Sequence, residues 1–262
     1  MRFQIARAAA HTGEMLRTLV ETEMRETGVT APADAVVCYG AGLDARRPHT
    51  LNALCSRFNK LQQAVRLQER LGVNSLGVIQ PPQGGTLVPG TAGVPTLPWL
   101  ARKTAHTKGK DIMAVLEPWQ IPARLSSGAS YFTPYVPSIT EYRSWVYRNR
   151  VLGTYEKRMT RPQDCTRLGR NYANGFDFSF REGESVPEAL KDVVRRAIAA
   201  LGLDFGMVDT LETPDHNFVV LEVNSAGGVQ NDRRNVIRAL AHRIVRWAAN
   251  GCPERQQDGG AE

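Results

Sequence analysis

The chain has 262 residues, 33 Lys and Arg against 26 Asp and Glu, and a hydrophobic content of 42%. That is enough chain to bury a core without a disulfide or metal staple, and too apolar for a disordered protein. No apolar run approaches a membrane span, and residues 1–7 lack the apolar stretch of a signal peptide, so the expected compartment is the cytoplasm. Cys38, Cys55, Cys165 and Cys252 stand apart with no C-x-x-C pair and read as reduced thiols, not as a zinc site. The net charge of +7 leaves three readings open at this point: nucleic-acid binding, a solvated basic surface, or a site for small anions such as nucleotide phosphates.

Residues 3–27 carry Ile5, Ala9, Leu16, Leu19, Val20 and Met24 at helical spacing, which predicts a helix stopped by Gly28. The apolar run 35–39 enters Gly40-Ala41-Gly42 and predicts a buried strand ending in a tight turn. Residues 56–71 read as a second helix, with Leu61, Ala64, Val65 and Gln68 on one side and Gly72 as terminator. Residues 76–79 read as a further buried strand, so the first part of the chain is expected to be a small α/β unit with parallel pairing. Pro and Gly crowd 81–98 without periodicity, which places a domain boundary there and makes residues 1–95 a preceding domain. The second part, 96–250, opens with a strand at 99–103 and continues with strand-like stretches at 131–136 and 142–157. Ser185-Val186-Pro187-Glu188 has the form of a capping box. Behind it Leu190, Val193, Val194, Ala197, Ile198 and Leu201 define a helix closed by Gly202. Val236, Ile237, Leu240, Ala241, Ile244, Val245 and Ala248 define a last helix, and 251–262 is expected to be a disordered tail.

The most informative stretch is 205–224, two apolar runs flanking the turn-forming Thr213-Pro214-Asp215-His216-Asn217. If that turn centres on Asp215 and His216, Asp209 lies opposite Glu222, and Asn224 shares their face because side chains two apart on a strand point the same way. Two carboxylates directly across a strand pair repel, and apolar neighbours aggravate the cost. The arrangement persists if one carboxyl is protonated or a cation sits between them. An Asp, a Glu and an Asn amide oxygen form an oxygen-only set of the kind that suits magnesium. The competing reading is an exposed hairpin face with all three side chains solvated.

The run Gly206-x-x-Asp209, thirteen residues to Glu222, then Val223-Asn224-Ser225-Ala226-Gly227-Gly228 resembles the metal-binding signature of the ATP-grasp superfamily. That superfamily includes D-alanine–D-alanine ligase and the ribosomal-protein glutamate ligases. The resemblance implies an α+β, ATP-grasp fold of two α+β lobes gripping ATP, with Asp209, Glu222 and Asn224 holding two magnesium ions, for which manganese can substitute. Residues 99–112 look like the family's first nucleotide strand and phosphate loop. They contribute Arg102, where most relatives use Lys, together with Lys103, His106 and Gly109. Residues 131–136 resemble the hinge strand facing adenine, with Thr133, Tyr135 and Val136 as the contacts and Pro134 near where many relatives carry an acid. The strand ending at Lys157-Arg158 resembles the one whose terminal Lys reaches the phosphates, and either residue is a candidate. Arg170-Asn171-Tyr172-Ala173-Asn174-Gly175 is similar to the segment lying over the transferred phosphate in the glutamate-ligase branch. On that likeness Arg143, Arg170 and Asn174 take the catalytic places. The resemblance spans about 96–250 and is nearest to the glutamate ligases and to short phage-type or biosynthetic members.

The activity so implied is carboxylate–amine ligation through an acylphosphate, with ADP released and an amide formed on an amino acid, peptide or small biosynthetic intermediate. Such chemistry needs positioning and charge neutralisation more than a nucleophilic side chain. The sequence has no G-x-S-x-G elbow and no Cys in a catalytic context. An ATP-grasp phosphotransferase is the first alternative. A nucleic-acid or polyanion-binding module is the second; Arg233, Arg234, Arg238, Arg243 and Arg246 decorate the last helix, without a helix-turn-helix or RNA-recognition pattern. No membrane partner is expected. Eight Lys or Arg fall between Arg143 and Arg170 against Glu156 and Asp164, and Arg102, Lys103, Lys108 and Lys110 form a second group. This placement favours a small anion as the partner of the excess charge.

Overall fold

A computed structural model describes residues 1–43, 48–81, 87–104, 112–162, 174–181, 183–228 and 236–253. At the start of the chain Phe3 and Ile5 turn inward while Arg2 and Gln4 face solvent, the two-residue period of a strand. This segment, β1 (Arg2–Ile5), pairs in parallel with β2 (Val36–Tyr39), and the first helix, α1 (Ala10–Thr27), begins only after it. The helix expected from residue 3 therefore starts late: Ile5 and Ala9 satisfy helical spacing and strand alternation alike, and the neighbouring strand decides. Gly13 makes the packing possible, since a Cβ there would lie 2.5 Å from Ile5 Cγ2. Gly28 ends α1 in the left-handed conformation, as expected.

The third strand of this parallel sheet is β3 (Thr50–Leu51), not 76–79. The latter segment makes only isolated bridges, Ser75 to Val220 and Ile79 to Phe132, and so crosses between two other sheets. Between them lies α2 (Lys60–Leu71). It starts four residues later than expected because Asn59 and Gln62 form a reciprocal capping box, and Leu67 and Leu71 are its buried residues.

An antiparallel three-stranded sheet follows, in the order β5 (Met113–Val115), β4 (Trp99–Arg102), β6 (Tyr131–Pro134), packed on α3 (Gln120–Ser126). The largest sheet is antiparallel throughout, in the order β11 (Phe218–Asn224), β10 (Phe205–Glu212), β7 (Thr140–Tyr147), β8 (Arg150–Met159), β9 (Phe176–Arg181). One of its faces, with Val146, Val208, Val220 and Val223, packs on α2 and on α4 (Glu188–Ala200). Trp145, Tyr147, Phe205 and Met207 on the other face share a core with α1, the parallel sheet and α5 (Val236–Ala249). That core joins the first fifty residues to the rest of the chain. The capping box expected at Ser185 does not form: Ser185 closes a 3-10 turn, and α4 begins after Pro187 with no side-chain cap. Within the stretch expected as a tail, Cys252 is buried and the Trp247 indole N–H donates to the Pro253 carbonyl; residues 254–262 lie outside the described residues. Among the described residues no helix is long and apolar enough to cross a membrane.

Candidate active site

Strand alternation builds the site. On β10, residues 205, 207 and 209 share a face, and the observed register sets Asp209 opposite Glu222 and Met207 opposite Asn224. The hairpin register expected from the turn is thus realised over this stretch, up to a bulge beside Asp209. On the far side of β10, Asp209 pairs with Arg143 of β7, which pairs with Tyr155 of β8. Two residues along, Glu141 faces Lys157. The same sheet face therefore carries apolar core at one end and Asp209, Glu222, Asn224, Arg143, Lys157 and Glu141 at the other.

The hydrogen bonds show how the two facing carboxylates coexist. Arg143 donates to both oxygens of Asp209, from Nε at 2.9 Å and Nη2 at 3.0 Å, a bidentate fork. Lys157 is buried, lies 3.3 Å from Asp209 Oδ1, and donates to Glu141. Both cations also sit over the ring of Phe178, which screens them from water. Burial alone would push the Asp209 carboxyl up; the charges of Arg143 and Lys157 outweigh it and hold the group below the ordinary aspartate range. Glu222 receives Lys60 Nζ at 2.8 Å, and the same ammonium reaches Asn224 Oδ1 at 3.2 Å. Asn224 Nδ2 in turn donates to Glu222 Oε1 at 2.8 Å. The solvated-hairpin alternative is not what the chain adopts, since Asp209 is only 3% exposed.

Arg102, Tyr131 and Thr133 of the three-stranded sheet line a small cleft together with Lys60 and Glu222. Arg102 is buried and donates from Nε to the Thr133 hydroxyl at 3.1 Å. Desolvation lowers its pKa, opposed by Tyr131 and by the field of Glu222. Among the described residues no carboxylate lies within ion-pair distance of Arg102. A buried guanidinium with neutral partners, opening on a cleft, suits an anionic ligand.

The remaining candidates separate. Arg158 points to the other face of β8, where it is exposed and donates to Glu156; of the two neighbours, the site takes Lys157. Tyr135 is exposed, and its N–H is taken by the Pro98 carbonyl. Val136 lies past the end of β6 and Lys103 directly after β4, both half-buried. Asn174 is buried just before β9. His106, Gly109 and Arg170 lie outside the described residues. Burial pushes the thiols of Cys38 and Cys55 up to about 11 and about 12, so both stay protonated and non-nucleophilic at neutral pH.

From the sequence, the segment Phe58-Asn59-Lys60 resembles that of short family members but receives no chemical role. The signal was available: Asn59-Lys60-Leu61-Gln62 has the reciprocal Asn/Gln spacing of a helix start. What no local pattern supplies is that this helix start lies against β11.

The donor set passes a test for a divalent cation. Asp209 and Glu222, at paired positions of adjacent strands, and Asn224 two residues along offer oxygen donors, and oxygen sets of this kind suit magnesium. Among the described residues no group of three or more His, Cys, Asp and Glu gathers here or elsewhere, so the set depends on the Asn224 amide as its third member.

No protein-family model matches the sequence, and no curated protein does. Solved structures do match in fold. One is the ATP-grasp ligase PsnB complexed with a minimal precursor, at 14% identity and a TM-score of 0.63 over 94% of this chain and 98% of that one. The chain has the ATP-grasp fold. The macrocyclase MdnC bound with precursor peptide MdnA from Microcystis aeruginosa MRC matches at 12% identity and a TM-score of 0.61, covering 94% of this chain and 98% of that one. D-alanine–D-alanine ligase from Bacillus anthracis matches at 12% and 0.60, over 95% and 97%. At 94% of this chain, the likeness extends beyond 96–250 into the first ninety-five residues.

Proposed function

We propose that this ATP-grasp chain is an ATP- and magnesium-dependent carboxylate–amine ligase that forms an amide bond and releases ADP. The observation that carries the reading is the facing Asp209 and Glu222, with Asn224 beside them, on a sheet face also lined by Arg143 and Lys157. Asp209, Glu222 and Asn224 would hold the metal, which supplies neutralisation of charge on the phosphates. Arg143 and Lys157 orient Asp209 and add fixed positive charge beside it. Arg102, steadied by Thr133, supplies a cation in the cleft it shares with Glu222. No side chain is needed as a covalent nucleophile, in keeping with protonated, buried thiols.

The PsnB and MdnC structures contain precursor peptides, and one PsnB complex at a TM-score of 0.62 contains Mg and ADP. Together with the D-alanine ligase they support a peptide or amino-acid substrate for this chain too. We assign residues 96–250 to the nucleotide-gripping lobes and 1–95 to the unit preceding them.

The test is incubation with ATP, magnesium and pools of amino acids or peptides. ADP release that requires an amine, with an amide product by mass spectrometry, supports ligation; a stable phosphoester product would replace it with phosphotransfer. Glu222→Gln should abolish ADP formation, and unchanged turnover overturns the metal assignment.

A further inference from the structure

Lys60 reaches the carboxylate group from outside the sheet. Its ammonium bridges Glu222 Oε2 at 2.8 Å and Asn224 Oδ1 at 3.2 Å, two of the three oxygens assigned to the metal. The backbone explains why it stands there. β11 is an edge strand with open peptide groups. Gln63 satisfies the pair on Val223, donating from Nε2 to its carbonyl at 2.8 Å and accepting from its N–H at 3.0 Å. A side chain three residues earlier on a helix lies on the same side, so bolting Gln63 between Glu222 and Asn224 brings Lys60 over both. The Asn59 capping box stiffens this first turn, and Ser225 ties the strand end to the Cys55 carbonyl at 2.6 Å.

Asp209 and Glu141 already have their cations in Arg143 and Lys157, whereas Glu222 has Lys60. An ammonium 2.8 Å from Glu222 Oε2 and 3.2 Å from Asn224 Oδ1 repels a divalent ion placed on the same two oxygens. We propose that Lys60 is a tethered cation that fills the Glu222–Asn224 half of the metal site and must leave it for a divalent ion to bind there. Metal entry is thereby coupled to the first turn of α2. This inference rests on the metal reading of Asp209, Glu222 and Asn224, and the experiment separates the two.

Binding of Mn2+ alone to the full chain, without nucleotide, is measured by the electron paramagnetic resonance of the free ion. Lys60→Met and Lys60→Gln should each bind at least about tenfold more tightly than the wild type, since one opposing charge is gone. Lys60→Arg, which keeps the charge, should stay near the wild type. Gln63→Leu, which unbolts the turn, should shift toward Lys60→Gln. Thermal unfolding gives a second readout: without metal Lys60→Gln should melt below the wild type, and Mn2+ should raise its midpoint more. Equal Mn2+ affinity in wild type, Lys60→Met and Lys60→Gln, with Glu222→Gln still weakening all of them, overturns the Lys60 proposal and leaves the metal reading standing. No effect of Glu222→Gln in any background overturns the metal reading and this proposal with it.

Discussion

The two ends of one sheet face make opposite use of the same alternation. At one end Trp145, Tyr147, Phe205 and Met207 face α1, α5 and the parallel sheet, and every position is apolar. Further along the same strands the positions of identical parity are Arg143, Asp209 and, across the pair, Glu222. Side-chain parity alone does not distinguish the ends. The covering elements differ: helices and the parallel sheet cover the first, while at the second Glu222 borders a cleft shared with Arg102 and Thr133. The apolar end holds the strands at fixed spacing, and that spacing keeps two carboxylates opposed.

The largest expected effect is at the apolar end. Trp145→Ala, removing a large and fully enclosed ring, should cost about 3–5 kcal/mol in denaturant unfolding. At the charged end Asp209→Asn should cost about 3 kcal/mol, because Arg143 loses its bidentate anion and Lys157 keeps only Glu141. The same change should reduce ADP formation by more than about a hundredfold. If Asp209→Asn instead stabilised the protein and left ADP formation intact, the charged end would be ordinary packing and the contrast would collapse.

Smaller effects sharpen the comparison by face. Tyr142 lies on the opposite side and donates to Glu212 Oε2 at 2.7 Å. Tyr142→Phe should cost about 1.5 kcal/mol in unfolding and leave ADP formation within about twofold, since its hydroxyl bonds Glu212 and not the Asp209 group. The pH profile separates the charged group again. Because Asp209 is held below its ordinary value, its contribution is present above the unfolded value near about 4 and lost as pH falls through the folded one. The acid limb of the wild-type stability profile should therefore be steeper than that of Asp209→Asn. The least effect is expected from Arg158→Ala, which should leave melting midpoint and ADP formation unchanged, in contrast to its neighbour: Lys157→Met should lose activity.

Much of this was legible in the linear order of residues, and the exceptions are instructive. In the hairpin 205–224 the two-residue period put Asp209, Glu222 and Asn224 on one face, but the register near the turn differs by one from that expected, and the bulge beside Asp209 is what restores the Asp209–Glu222 pair. The choice between Lys157 and Arg158 was not legible. The turn falls at Arg148 and Asn149, and the register slips at a bulge between Trp145 and Val146. A one-residue slip turns every side chain to the other face. The first helix and the strand at 76–79 were misplaced for a different reason. Short apolar runs fit several elements, and only the partner strand selects one.

The sequence by itself determined the opposed carboxylates, their asparagine neighbour and the ATP-grasp resemblance, because those follow from spacing along a few adjacent strands. Only the tertiary structure decided which cations meet them. Lys60 comes from a helix about 160 positions away, brought in by an amide clamped to an open strand edge, and long-range docking of that kind leaves no periodic trace in the chain.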